Sequence, residues 1–398
     1  MKNKDFIDLD NKYAAANYEP LPVTIERGEG CWVWDVEGNK YLDCIASYSA
    51  VNQGHCHPKI IKALTDQAKK LTLTSRAVHT TLMAPLLKKL CDLSGLDKGI
   101  MMNSGAEAVE TAIKLARKWA YCHKGAPDDE GEIIVAANNF HGRTTTVISF
   151  SSNPGYKKHF GPLTPGFKEI PFGDAKALEK AITKNTIGFL VEPIQGEAGV
   201  YVPPEGYLSD IRNICTNHNI LLMLDEIQTG LGRTGKMFAY EYENAKPDLL
   251  MIGKALSGGF MPVSAVMGRT DIMDSFEPGD HGSTYGGNPL GCTVGFSALE
   301  VLENEGMLDN SIARGNQLRE GLKNLNSKYI TEIRGKGLMT AIDIHPDFGT
   351  GSDVCKLLLK KGILSKDTHK QSIRLTPPLV ITEQQVDWLI KRIAETFV

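Results

Sequence analysis

The sequence contains no apolar run approaching the length of a membrane span and no block of basic residues. The first lack argues against a membrane role. The second, with a net charge of −3, argues against a nucleic acid or other polyanion as partner. No C-x-x-C pair occurs: the eight cysteines are scattered, the pattern of reduced, packed thiols in a cytoplasmic protein. Heptad arrays, repeats, low-complexity tracts and long linkers are missing too, so the lobes of the chain are expected to pack tightly. The opening MKNKDFIDLDNKY has no apolar h-region and carries Asp5, Asp8 and Asp10, which fits neither a secretory nor a mitochondrial leader. The His55-Cys56-His57 triplet invites a metal reading. Neighbouring side chains cannot easily all reach one ion and no further ligands lie nearby, so no metal is expected.

What is present is enough for a large core: 398 residues, 42% of them hydrophobic. Two apolar runs organise the chain. Ile220–Leu224 ends in Asp225, Glu226 and Gln228; Leu249–Ile252 ends in Gly253, Lys254 and then Ser257-Gly258-Gly259. Short unbroken apolar runs bounded by polar residues read as strands buried on both faces of a parallel sheet. Ligands of such sheets bind beyond the carboxyl ends of the strands, where Asp225 and Lys254 would stand. Lys254 could be a solvated strand-end lysine, or a desolvated one able to form a Schiff base with an aldehyde. A carboxylate nearby favours the second, because pyridoxal phosphate needs a lysine for its aldehyde, an acid for its ring nitrogen and a phosphate cradle.

Other stretches add to this mouth. Pro22–Glu26 and Cys31–Asp35 alternate in polarity around Gly-rich turns and predict a small antiparallel β lobe. A helix is expected to start near Pro58. Asn103-Ser104-Gly105-Ala106 precedes a helical pattern running through Trp119. Ser104 is a good N-cap, and Gly105 lets backbone N–H groups approach a phosphate. After a strand at Glu132–Ala136 come Phe140, His141 and Arg143. Phe140 could stack on a flat ring or fill the core; Arg143 could clamp a carboxylate or lie on the surface. Ile187–Val191 reads as another buried strand, ending in Glu192 and followed by Glu197. Gly230-Leu231-Gly232-Arg233-Thr234-Gly235 spells a dinucleotide fingerprint, but no convincing helix follows, and Asp248 precedes a strand where the fingerprint needs an acid at the end of one. His281–Pro289 is a glycine-rich polar loop, and the tail alternates helices with strands in an α+β lobe.

With these residues in place, the chain resembles the class III aminotransferases of fold type I. The resemblance is carried by Asn103–Ala108, Asp225–Gly235, Gly253-Lys254 and Gly282–Pro289. It implies an α/β fold: a large domain (49–298) with a mostly parallel seven-stranded sheet flanked by helices, and a small α+β domain built from both termini (1–48 and 299–398). It also implies pyridoxal 5'-phosphate held by Ser104, Gly105, Ala106, Phe140, Asp225, Gln228 and Lys254. Ser283 and Thr284 would complete the phosphate cradle across a homodimer, or a dimer of dimers, with shared sites. Lys254 would be the catalytic lysine and Asp225 the partner of the ring nitrogen. Within the class, Ser47–His55, Leu71–Arg76 and Gln195–Val200 are similar to the branch that transfers the δ-amine of L-ornithine to 2-oxoglutarate. Tyr18 and Arg143 would hold ornithine's α-carboxylate and Tyr48 its α-amine. Arg374 would bind the α-carboxylate of glutamate or 2-oxoglutarate, with Glu197 neutralising Arg374 in alternation. N-acetylornithine and 4-aminobutyrate aminotransferases are the rival branches. The cytoplasm is the expected location.

Overall fold

The computed structural model describes residues 1–397. Its centre is a seven-stranded sheet in the order Lys98–Met102, Ser264–Gly268, Leu249–Ile252, Leu221–Asp225, Thr186–Val191, Glu132–Ala136, Phe167–Ile170. The last five run parallel. Ser264–Gly268 lies antiparallel between Lys98–Met102 and Leu249–Ile252. Every residue of Thr186–Val191, Leu221–Asp225 and Leu249–Ile252 is buried, as their unbroken apolar sequence demands when helices cover both faces.

Gly105–Trp119 packs its Ala108, Val109, Ala112, Ile113, Ala116 and Trp119 face against one side of the sheet. Ser104 starts it with a capping box: its side chain accepts from the Glu107 N–H while the Glu107 carboxylate reaches back to the Ser104 N–H at 2.6 Å. The opposite sheet face is covered by a cluster that includes Leu86, Leu256 and Leu299.

Two four-stranded sheets flank this centre. One joins Ile25–Glu29, Trp32–Asp35 and Lys40–Asp43 to the short strand Ile363–Leu364, which pairs in parallel through Ile363 to Leu42. The other orders Ile330–Lys336, Met339–Ile344, Ser372–Leu375 and Lys366–Thr368. The first strand falls later than its sequence pattern predicts, starting at Ile25 and running through Arg27 and Gly28. Pro22 has no N–H to offer a ladder. The Thr24 N–H is taken by the Asn3 side chain at 2.7 Å, and the reversal sits at Gly30, whose φ is +57°.

The Gly230–Gly235 stretch acts as a joint. Arg233 is fully buried; its guanidinium donates to the Leu338 and Pro377 carbonyls at 2.9 and 2.7 Å and to Asn52 Oδ1 at 2.5 Å. Burial among neutral acceptors lowers its pKa to about 9. One cation thus ties the loop after Leu221–Asp225 to the ends of the Met339–Ile344 and Ser372–Leu375 strands and to the segment around Asn52.

Candidate active site

The strand ends deliver Glu192, Asp225 and Lys254 to one cavity of about 200 Å³, also lined by Gly105, Ala106, Phe140, His141, Gly142, Ile227 and Gln228. Lys254 follows its strand in a left-handed conformation, φ +43°, a strained geometry at the cavity it lines. Burial lowers the Lys254 pKa against the opposing pull of Glu197 and Asp225, with Arg374 adding to the lowering. A lysine so placed is readier to act as a neutral amine.

Asp225 is buried and held by two donors. Its Oδ1 accepts from the Ile227 N–H at 3.0 Å and its Oδ2 from His141 Nδ1 at 2.7 Å. A carboxylate only accepts, so Nδ1 carries the proton. Burial works against charge on His141, but the hydrogen bond and charge of Asp225, with Glu192 behind them, raise its pKa. Nothing in the sequence around His141 marks it out; its place beside Asp225 comes from an approach of residues 84 apart in the chain. Glu192 is also fully enclosed. Burial raises it to about 7, with His141 lowering it and Asp225 raising it.

The predicted substrate residues divide into those the structure brings together and those it does not. Arg374 Nη1 and Glu197 Oε1 form an ion pair that no spacing rule could supply. Burial pushes the Glu197 carboxyl up, but the charge and hydrogen bond of Arg374, with the charges of Lys254 and Arg143 behind them, together outweigh it and lower the pKa. Tyr48 lies next to them, its ring 5.1 Å from the Arg374 guanidinium carbon and its carbonyl accepting from Gln228 Nε2 at 3.5 Å. It rides on Ala46–Ser49, four residues that all have positive φ, from 44° to 80°. Asp43 supports this left-handed turn by accepting from the Ile45 and Ala46 N–H groups at 2.9 and 3.0 Å. Arg143 is exposed and stacks over Tyr156 at 3.8 Å, near Phe140 at 5.5 Å. Tyr18 is 80% exposed and does not line the cavity. Ser283 and Thr284 do not line it either; Ser283 accepts from Asn103 Nδ2 at 2.9 Å, just before the Gly105 helix. The Ser104 hydroxyl is occupied by its cap, leaving the N–H groups of Gly105 and Ala106 as that helix's free first-turn donors. His55 and His57 turn to carboxylates instead of to each other, His55 to Asp43 and His57 to Glu305.

This donor set fits pyridoxal phosphate. A buried acid stands at the cavity wall to meet a protonated ring nitrogen, and a lysine stands opposite for an aldehyde. The helix start offers N–H groups and a positive dipole end for a phosphate. A side chain at Gly105 would crowd this space, since a Cβ there would come within 3.0 Å of Ile227 Cδ1.

The class-III aminotransferase profile matches residues 13–397, and the chain belongs to that family: it is a pyridoxal-phosphate-dependent aminotransferase. Its relatives include the ornithine aminotransferase of Halalkalibacterium halodurans, 52% identical over 97% of this chain and 96% of its own. Among solved structures, the ornithine aminotransferase of Toxoplasma gondii ME49 covers 100% of this chain and 95% of its own, at 45% identity and a TM-score of 0.98. The acetylornithine aminotransferase of Elizabethkingia anophelis covers 100% and 99%, at 47% identity and 0.91.

Proposed function

We propose that this chain is an ornithine aminotransferase. It takes the δ-amine of L-ornithine, leaving glutamate 5-semialdehyde that cyclises to pyrroline-5-carboxylate, and passes the amine to 2-oxoglutarate in a ping-pong cycle. Full-length relatives of that name at about 50% identity support the reading. Its carrying observation is the Glu197–Arg374 ion pair beside Tyr48.

One pocket must accept a terminal amine from ornithine and an α-amine from glutamate. A free Arg374 suits the α-carboxylate of glutamate or 2-oxoglutarate, which it can grip with two N–H groups. With ornithine bound there is no carboxylate at that point, and a bare buried guanidinium would be costly. Glu197 then closes on it. Tyr48 reads ornithine's free α-amine, and Tyr18 and Arg143 hold its α-carboxylate, Tyr18 by folding inward from its exposed position.

Bound pyridoxal phosphate supplies an aldehyde that condenses with amines and a ring that withdraws electrons from the adjacent carbon. The rest belongs to the chain. Lys254 Nζ would hold the cofactor's aldehyde and serve as the base that takes and returns a proton at the substrate carbon. Asp225, fixed by the His141 N–H, would pair with the ring nitrogen and keep it protonated. Phe140 would stack on the ring, Gln228 would donate to its oxygen, and the N–H groups of Gly105 and Ala106, with Ser104 at the cap, would hold the phosphate. Ser283 and Thr284 complete this cradle from the partner subunit, which makes a homodimer, or a dimer of dimers, the working form. The large domain spans 49–298, with the small domain drawn from 1–48 and 299–398. No helix among the described residues is long and apolar enough to cross a membrane, and the cytoplasm is the proposed location.

The solved acetylornithine aminotransferase sustains a second reading, in which the N-acetylated amine is the donor. Titrating the holoenzyme's visible absorbance separately with L-ornithine and N-acetylornithine, while trapping pyrroline-5-carboxylate, separates them. Ornithine is expected to bleach the band and yield the trapped product. A response to N-acetylornithine alone would move the assignment to the rival branch.

A further inference from the structure

Glu192 stands at the end of the buried strand Thr186–Val191, where its side chain is carried into the cavity beside Asp225 and Lys254. Neither of its oxygens meets an arginine or lysine at salt-bridge distance among the described residues. Each instead accepts one backbone N–H: Oε1 from Phe140 at 3.0 Å and Oε2 from Gly196 at 3.2 Å. These two amides belong to the segments that present the ring-stacking side chain and, one residue on, the carboxylate of Glu197.

Gly196 has little freedom to answer any change. A Cβ there would fall 1.8 Å from Gln228 Oε1, so its backbone is pressed between Gln228 on one side and Glu192 on the other. A neutral tie runs alongside, from Gln195 Nε2 to the Ala137 carbonyl at 2.7 Å, and holds the two segments close without reaching either amide. Only a carboxylate presents two acceptors in this geometry; a glutamine in its place would turn N–H groups toward one of the two N–H donors.

We propose that Glu192 is a positioning residue that couples the seat of the cofactor ring to the Glu197–Arg374 switch, by holding the Phe140 and Gly196 amides on its two oxygens. The proposal rests on the ornithine aminotransferase reading for its substrate consequence, and on the pyridoxal phosphate site alone for its effect on the ring.

The test uses Glu192→Gln and Glu192→Asp in the purified holoenzyme. Glutamine keeps the length and loses one acceptor; aspartate keeps the charge but is a methylene too short to bridge both amides. Each half-reaction is followed by single turnover, with L-ornithine and with L-glutamate, next to the visible circular dichroism of the bound cofactor and a thermal melt. Both variants are expected to retain cofactor, because the Gln195 tie remains. The apparent KM for L-glutamate is expected to rise about tenfold, the scale of one lost charged hydrogen bond, with that for L-ornithine changing far less. The circular dichroism band should change in amplitude as the Phe140 backbone shifts. Should Glu192→Gln fail to fold, Glu192→Asp alone decides. Unchanged KM ratios and unchanged dichroism, even with a lowered melting temperature, would show Glu192 to be a structural acid and overturn the proposal. If the chain does not use ornithine at all but the dichroism still changes, the functional reading fails and the link to the ring stands.

Discussion

The two ends of the central sheet handle buried charge in opposite ways. At the amino end, Asp248 is buried between two cations: Arg212 Nη1 meets it at 2.8 Å and Arg269 Nη1 pairs with its other oxygen, while the Leu222 N–H adds a bond at 2.7 Å. At the carboxyl end, Asp225 and Glu192 are held by backbone N–H groups and one imidazole, beside a lysine whose protonated form burial disfavours. Charge neutralised where it stands secures strands. Charge left facing a cavity awaits a molecule to complete it, and the electrostatic cost of folding is concentrated there.

Breaking the carboxyl end should remove chemistry and leave the fold. Lys254→Ala is expected to lower turnover by about 10⁴-fold or more, measured in single turnovers of each half-reaction. With cofactor absent from both proteins, the variant should also be more stable than the parent, by about 1 kcal/mol at neutral pH. Because the folded-state pKa of Lys254 lies below its unfolded value, the unfolded chain binds more protons between the two. The penalty is therefore full below the folded value and fades as pH rises toward 10.5. Chemical denaturation of both proteins at several pH values checks the sign.

Breaking the amino end should do the reverse. Asp248→Ala leaves the half-buried Arg212 without its carboxylate and is expected to cost about 3 kcal/mol, the low end for such pairs because Arg212 and Arg269 both reach solvent. The KM for ornithine should stay as in the parent. A kinetic defect larger than the stability loss explains would break the comparison.

Two smaller changes sharpen it. Tyr48→Ile should weaken the use of L-ornithine about tenfold more than that of 4-aminobutyrate, read as kcat/KM for each donor. Equal losses would remove the α-amine from Tyr48's role. Glu226 adjoins Asp225 yet is turned into the fold, where Thr229 Oγ1 and the Ala239 and Tyr240 N–H groups hold it. Burial raises it to about 7, so its contribution to stability is full below pH 4.5 and is lost as pH climbs through 7. Glu226→Gln should flatten that part of the stability profile without altering either half-reaction.

The parallel sheet was legible because its strands are short apolar runs that end in chemistry-bearing residues, and the Gly105 helix because Ser104 and Glu107 spell its cap. Asp225 and Lys254 could be placed at one mouth from strand ends alone. The Glu197–Arg374 contact could not, since it joins residues 177 apart through a loop whose path depends on tertiary packing. Nor does Ala46-Ser47-Tyr48-Ser49 announce a left-handed turn: without glycine, only the surroundings, Asp43 first among them, can impose it. Arg233 was legible as part of a motif and not as what it is, because a glycine pattern gives no sign of which carbonyls will gather round a guanidinium.

That buried guanidinium governs how the molecule can move. Rotation of the Ile330–Lys336 sheet against the central one would pull the Leu338 and Pro377 acceptors off Arg233 and leave a buried cation with Asn52 alone. Hinge motions of whole lobes run on microsecond to millisecond timescales, whereas a side-chain rotamer change is faster by orders of magnitude. With that rotation resisted, the proposed alternation of Glu197 on and off Arg374 falls to a side-chain movement rather than to a turn of whole lobes.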